Sequence, residues 1–240
     1  MTAYASRLPA GFAGNLTRGE GAVVVPVALS EAVVYGKPVK MSSSKAKNIE
    51  ASDTAANFFG VLQRTVPQID TGNDNDTAST SYVQNVIRKG FCNVVCSTGT
   101  PVMGGQVYMR VVTESSQLVG HFETAYDYSA TAGAMVGTGN ATGGTISATE
   151  ACTPGVYRAL FTAATAFNLI SPSGDIAKVG ATGSAYTAFG LTFTITAGGT
   201  PAIAGDYIDF TVTANTVALP GVTFASAGKD SSNVCEIQIA

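Results

Sequence analysis

The groups that could carry chemistry are few. The sequence holds one histidine, four cysteines and no tryptophan. A Ser-His-Asp machinery would have to use His121 as its base. His121 lies in the strand-like run Val119-Gly120-His121-Phe122, and no G-x-S-x-G elbow accompanies it. It reads as a surface or hydrogen-bonded strand side chain. Asp70, Asp74 and Asp76, with Asn73 and Asn75, bring enough oxygens for a calcium ion. The EF-hand spacing and its bidentate glutamate are missing, so the stretch reads as a solvated loop. Glycoside hydrolysis needs two carboxyl groups held about 5–10 Å apart, and the sixteen acidic residues single out no such pair. The glycine-rich stretches follow no strand-to-helix pattern, which removes phosphate loops. The reading is a non-enzyme, with no catalytic, cofactor or metal residues assigned.

The cysteines are Cys92, Cys96, Cys152 and Cys235. They form no CxxC pair and have no histidine beside them, which argues against zinc. Cys92 and Cys96 stand at an even spacing in a strand-like run and so share a face. The expectation is buried, reduced thiols packing as small hydrophobes.

The bulk numbers set the class. At 240 residues the chain makes one large or two small domains, each able to bury a core. Apolar residues make up 45% and charged residues 12%, where about 25% charged is usual. This is not disorder, which requires low hydrophobicity with high charge. The polarity comes from Ser, Thr, Asn and Gly, a neutral surface suited to packing against other protein. Net charge is −3 and the longest basic run is Arg88-Lys89, so no electrostatic footprint for nucleic acid exists. No apolar run approaches the roughly 20 residues of a membrane span. The start, Met1 to Arg7, lacks the apolar core of a secretory signal.

The elements that must position any site are strands. Residues 1–20 read as an extended N-terminal arm, since Pro9, Gly11, Gly14 and Gly19 break a helix and Tyr4 and Phe12 are its only aromatic anchors. Such an arm is either a frayed terminus or a segment that docks on a partner. A first β block follows, with strand signals near 23–27, 33–35, 58–63, 83–95 (bent at Gly90), 106–112 and 118–124. Pro26 marks the first of these as an edge or a bulge. Residues 126–149 are rich in Ala, Thr and Gly, the chemistry of a linker. In the second block Leu191, Phe193 and Ile195 alternate with threonines, as do Ile208, Phe210 and Val212 with Asp209, Thr211 and Thr213. Short strands with glycine-rich turns suggest a small sandwich. The closing run Cys235-Glu236-Ile237-Gln238-Ile239 alternates too; it extends the second block or returns to the first.

Several runs, in order, carry a family likeness: Tyr4-Ala5-Ser6-Arg7-Leu8-Pro9-Ala10-Gly11-Phe12-Ala13-Gly14, then Ala32-Val33-Val34-Tyr35-Gly36-Lys37-Pro38-Val39, Phe58-Phe59-Gly60-Val61-Leu62, Pro101 to Tyr108, Pro220-Gly221-Val222-Thr223-Phe224 and Val234 to Ile239. In this order they resemble the structural cement proteins that decorate tailed-bacteriophage capsids. The resemblance implies an all-β chain: an arm at 1–20, a discontinuous capsid-binding base of β-barrel or jelly-roll-like form at 21–125 plus 217–240, a linker at 126–149, and an inserted Ig-like β-sandwich at 150–216. It implies binding to the outer surface of the major capsid protein shell of the virion, resistance to internal DNA pressure, and capsid contacts through Tyr4, Arg7, Pro9 and Phe12. It also implies copies of the chain as dimer or trimer, with no cofactor, nucleic acid or membrane. The rival reading is a phage tail, fibre or adhesin-type protein binding carbohydrate, for which Tyr126 and Tyr128 are the hint; a small polysaccharide hydrolase is a second rival.

Overall fold

The computed structural model describes residues 11–64, 77–115 and 117–240. Tyr4, Arg7, Pro9 and the stretch Asp70 to Asp76 lie outside the described residues. Along the chain come β1 (Leu16–Ala28), β2 (Pro38–Ser42), β3 (Lys45–Asn48), β4 (Gly60–Leu62), β5 (Val83–Thr98), β6 (Gln106–Arg110) and β7 (Phe122–Glu123). Then follow β8 (Tyr128–Val136), β9 (Gly155–Ala163), β10 (Ala166–Ile170), β11 (Leu191–Thr196) and β12 (Tyr207–Ala214), and last β13 (Thr216–Phe224) and β14 (Val234–Ile239). The protein is all-β; the one helical piece among the described residues is a 3-10 turn at Ala55–Asn57. Contacts divide the chain into two compact units. Unit 1 runs up to Ala125 and resumes at Thr216, and unit 2 is Tyr126–Asn215.

Unit 1 is built on a closed ring of five strands. β5 pairs with β14, β14 with β13, β13 with β6 and β6 with β7, all antiparallel; β7 then returns to β5 in parallel. The base is therefore a barrel, and closure leaves these strands no free edge within the ring. Period-2 alternation decides what fills it. Cys92, Val94 and Cys96 of β5, Val107 and Met109 of β6, Phe122 of β7, and Cys235, Ile237 and Ile239 of β14 share one buried core. All four cysteines are buried and free, and burial pushes the Cys92 thiol pKa up.

β5 is 16 residues long and outlasts the ring. Its first half pairs with β1 on one side and β4 on the other, and β4 leads on to β2 and β3. This extension has its own core of Val27, Leu29, Val33, Val39, Leu62 and Val86. Gly90 stands where the partners change, with φ of +118°, a backbone that glycine adopts without penalty. β1 begins at Leu16, inside the stretch read as arm, and has β5 as its only ladder partner among the described residues. The run at 118–124 holds only a two-residue strand. Gly120 takes φ of +77° and the His121 N–H donates to the Leu118 carbonyl, so His121 sits in a turn rather than in a strand.

Unit 2 is two sheets around one core. The first sheet runs β8, β12, β9, β10 and the short strand Gly180–Ala181; the second forms around β11. Tyr157, Phe161, Phe167 and Leu169 face Leu191, Phe193 and Ile195 in a common core, and the Phe193 and Phe210 rings lie 4.3 Å apart. This is sandwich packing. The Ala/Thr/Gly stretch read as a linker contains β8, nine residues laddered to β12. Tertiary pairing here overrides a composition poor in strand formers.

Candidate interaction site at the root of the N-terminal segment

The N-terminal segment is stitched into unit 1 before β1 begins. The Gly14 N–H donates to the Asn93 carbonyl (2.8 Å), the Asn93 N–H donates to the Asn15 carbonyl (3.0 Å), and the Arg64 N–H donates to the Gly14 carbonyl (2.9 Å). The segment thus lies between β5 and the end of β4. Two glycines make this passage possible. Gly14 has φ of +87°, and a Cβ there would lie 2.8 Å from the Gly36 nitrogen and 2.9 Å from the Leu62 oxygen. Gly36 has φ of +77°, and a Cβ there would lie 2.6 Å from the Ala13 Cβ. Side chains at either place would force backbone apart.

Phe12 is 64% exposed, unusual for so large an apolar side chain. The Arg64 guanidinium lies over both the Phe12 ring (5.5 Å) and the Tyr35 ring (5.1 Å), and its Nε donates to the Ala13 carbonyl (3.4 Å). Beside them opens a groove of about 490 Å³, lined among others by Phe12, Val34, Tyr35, Val95, Asp230 and Val234. Asp230 Oδ1 accepts from the Ser232 and Val234 N–H groups (2.9 and 2.8 Å), which fixes the groove's far wall.

Among the described residues no three His, Cys, Asp or Glu side chains gather to hold a metal. His121 lies elsewhere in unit 1. Its Nδ1 is buried without a hydrogen-bond partner, and burial, then the charges of Lys37 and Arg110, lower its pKa to about 4, so it is neutral at pH 7. Tyr126 and Tyr128 stack on each other, ring centroids 5.6 Å apart, which covers a face of each ring. Of the four contact residues expected from sequence, the structure describes Phe12 alone and sets it at the groove. Sequence reasoning missed Arg64, Tyr35 and the clamp role of Gly14 and Gly36. The glycines were visible as breaks, but what they approach was not.

The family model described as XM1 gp53 minor capsid protein matches residues 1–173. The chain belongs to the XM1 gp53 minor capsid protein family. It is therefore a structural protein of the phage capsid, associated with the shell of the virion. The match covers the first stretch of unit 1 and continues into unit 2, ending before β13 and β14. Among solved structures, a chain in the capsid of Myoviridae phage XM1 is 21% identical, with 51% of this chain and 77% of that one covered and a TM-score of 0.40. FlgL of Xanthomonas campestris is 23% identical over 37% of this chain and 29% of its own length, with a TM-score of 0.30. Likenesses this partial bear on neither fold nor function. Comparison with curated proteins gives no match. No described helix is long and apolar enough to cross a membrane.

Proposed function

We propose that this minor capsid protein is a decoration, or cement, protein. It binds the outer surface of the major capsid protein shell, bridges neighbouring subunits and holds the head against the pressure of packaged DNA. The observation that supports this reading is the clamped root: a segment fixed to the barrel unit by three backbone hydrogen bonds, with an exposed aromatic ring at its exit. A cement works through contact area, about 1,600 Å² in total for a stable contact, and needs no cleft. In this reading Phe12 acts together with Tyr4, Arg7 and Pro9 on the capsid surface.

Charge supports the same division of labour. Unit 1 carries eleven basic and eleven acidic side chains; unit 2 carries two basic and five acidic. A neutral unit 1 meets a protein shell without net repulsion, and in this proposal the acidic unit 2 faces outward. Copies associating as dimers or trimers would match a symmetric shell, and weak contacts repeated over it add through multivalency.

The test is rebinding of purified protein to capsids stripped of it, read by electron microscopy and sedimentation. The full chain restores decoration, and Phe12→Ala together with removal of residues 1–10 weakens it at least tenfold. If the full chain does not rebind, the decoration reading fails. If the shortened chain decorates equally well, the role given to the segment fails.

A further inference from the structure

We infer that the turn bearing Val102 and Met103 in unit 1 is an apolar knob that seats in a hollow beside Pro220 on a second copy of the chain. The knob is built rigidly. The Gly105 N–H donates to the Val102 carbonyl (2.8 Å) and closes a four-residue turn. Gly104 takes its third position with φ of +78°, the conformation that a type II turn gives to glycine. The Gly104 N–H donates to the Phe224 carbonyl (2.7 Å), the Phe224 N–H to the Gly105 carbonyl (2.9 Å) and the Gly228 N–H to the Pro101 carbonyl (2.7 Å). From this base Val102 and Met103 project at 67% and 68% exposure, where turns ordinarily carry Gly, Pro, Asn, Asp or Ser. No charged residue occurs between Lys89 and Arg110. A turn already fixed in this way has little backbone freedom left to lose on binding.

The hollow is the complementary feature. The 3-10 turn Ala55–Asn57 lies against β13. Ala55, Ala56, Phe58, Leu219 and Pro220 line a hollow of about 380 Å³ there. One water's share of liquid volume is about 30 Å³, so the hollow has room for a methionine side chain. Both features hang on β13: its Phe224 holds the knob and its Leu219 and Pro220 wall the hollow. Three observations choose a second copy as the occupant. Neither knob nor hollow lining carries a charge, so closing one on the other strands no ion away from water. Unit 1 has as many basic as acidic side chains, so two copies meet through it without net repulsion. Each copy offers both halves, so a two-fold axis sets two knobs in two hollows at once, the self-complementary contact of a symmetric oligomer. The inference gives a surface to the self-association within the decoration reading and rests on that part of it alone.

The test is analytical sedimentation of the full chain, without capsids, over a concentration series. The wild-type chain sediments as an oligomer; a single-chain mass throughout overturns the inference. Met103→Lys and, separately, Ala56→Glu put a charge into the contact, and each weakens association by on the order of tenfold or more. Both positions are exposed, so neither substitution enters a core, and an unchanged thermal midpoint verifies the fold. Should that midpoint move, Met103→Ala removes the knob without adding charge and weakens association in the same direction. Mixing the two charged variants in equal amounts is the deciding arm. The new lysine of one then meets the new glutamate of the other, and association returns. Variants that stay apart when mixed overturn the inference. A Met103→Lys chain that assembles as the wild type does overturns it too, and loss of capsid rebinding in that chain would assign the knob to the shell. Rebinding of the wild-type chain to stripped capsids is scored separately. An assembled chain that does not rebind sinks the decoration reading and spares this contact; a monomeric chain that rebinds does the reverse.

Discussion

Arg110 and Glu123 form a two-point ion pair from which solvent is excluded. Arg110 is fully buried and Glu123 is 2% exposed. Arg110 Nη2 donates to Glu123 Oε2 at 3.1 Å, its Nε donates to Oε1, and Nη1 donates to the Val112 carbonyl. The pair joins the end of β6 to β7, the two-residue strand that closes the barrel.

Removing one partner leaves the other charge buried and unmatched, at a cost of about 3–5 kcal/mol. Glu123→Gln and Arg110→Met are each expected to destabilise unit 1 by an amount in that range, read as the shift in urea midpoint. The double variant Arg110→Met/Glu123→Leu recovers a large part of the loss, since a hydrophobic replacement of a buried pair is often neutral. A double variant as unstable as the sum of the singles would show the two side chains to act independently.

The clamp at the root of the N-terminal segment separates two kinds of glycine. Gly14→Ala meets both a positive φ and backbone atoms under 3 Å away, and is expected to cost about 2 kcal/mol or more. Gly104 has φ of +78° but open space around it, so Gly104→Ala carries only the conformational penalty of about 1–2 kcal/mol. Denaturant midpoints for the two variants check the order.

Acid should weaken unit 1 in a defined window. The folded-state pKa of His121 is lowered to about 4 from 6.5, by burial first and then by Lys37 and Arg110. Between those values the unfolded chain binds the proton and the folded chain does not, so stability falls as pH drops from about 6.5 to about 4. Lys37 behaves likewise at high pH: burial lowers its pKa to about 8 from 10.5, and stability rises as pH climbs through that interval. His121→Gln is expected to flatten the acid limb, measured as thermal midpoint against pH. An NMR titration of His121 with a midpoint near 6.5 would remove the basis of the expectation.

Excising residues 126–215 and joining Ala125 to Thr216 by a short glycine linker should leave a folded unit 1. Thr216 Oγ donates to the Ala125 carbonyl at 3.4 Å, so the cut ends lie together, and the cores of unit 1 contain no residue from 126–215. A cooperative melt with strand-type circular dichroism is the expected outcome; an aggregated or non-cooperative chain would contradict it.

How much was legible beforehand differs residue by residue. Leu191, Phe193 and Ile195 announced their buried face by alternation alone, and they are buried together. Cys92 and Cys96 announced a shared face, which points into the barrel. His121 misled because apolar neighbours imitate a strand, whereas Gly120 at positive φ makes a turn. The Tyr128 to Val136 stretch misled because small residues look like linker until a partner strand supplies the hydrogen bonds.

Side-chain alternation and the shortage of charge are properties of the residues in their order along the chain, and the sequence by itself determined them. The return of β14 to β5, the burial of Arg110 against Glu123 and the meeting of Gly14 with Gly36 join residues that stand far apart along the chain. No local preference encodes such pairings. They are chosen only when the whole barrel closes and each backbone group finds its partner, so the tertiary structure alone decided where the root of the N-terminal segment would stand and what would surround it.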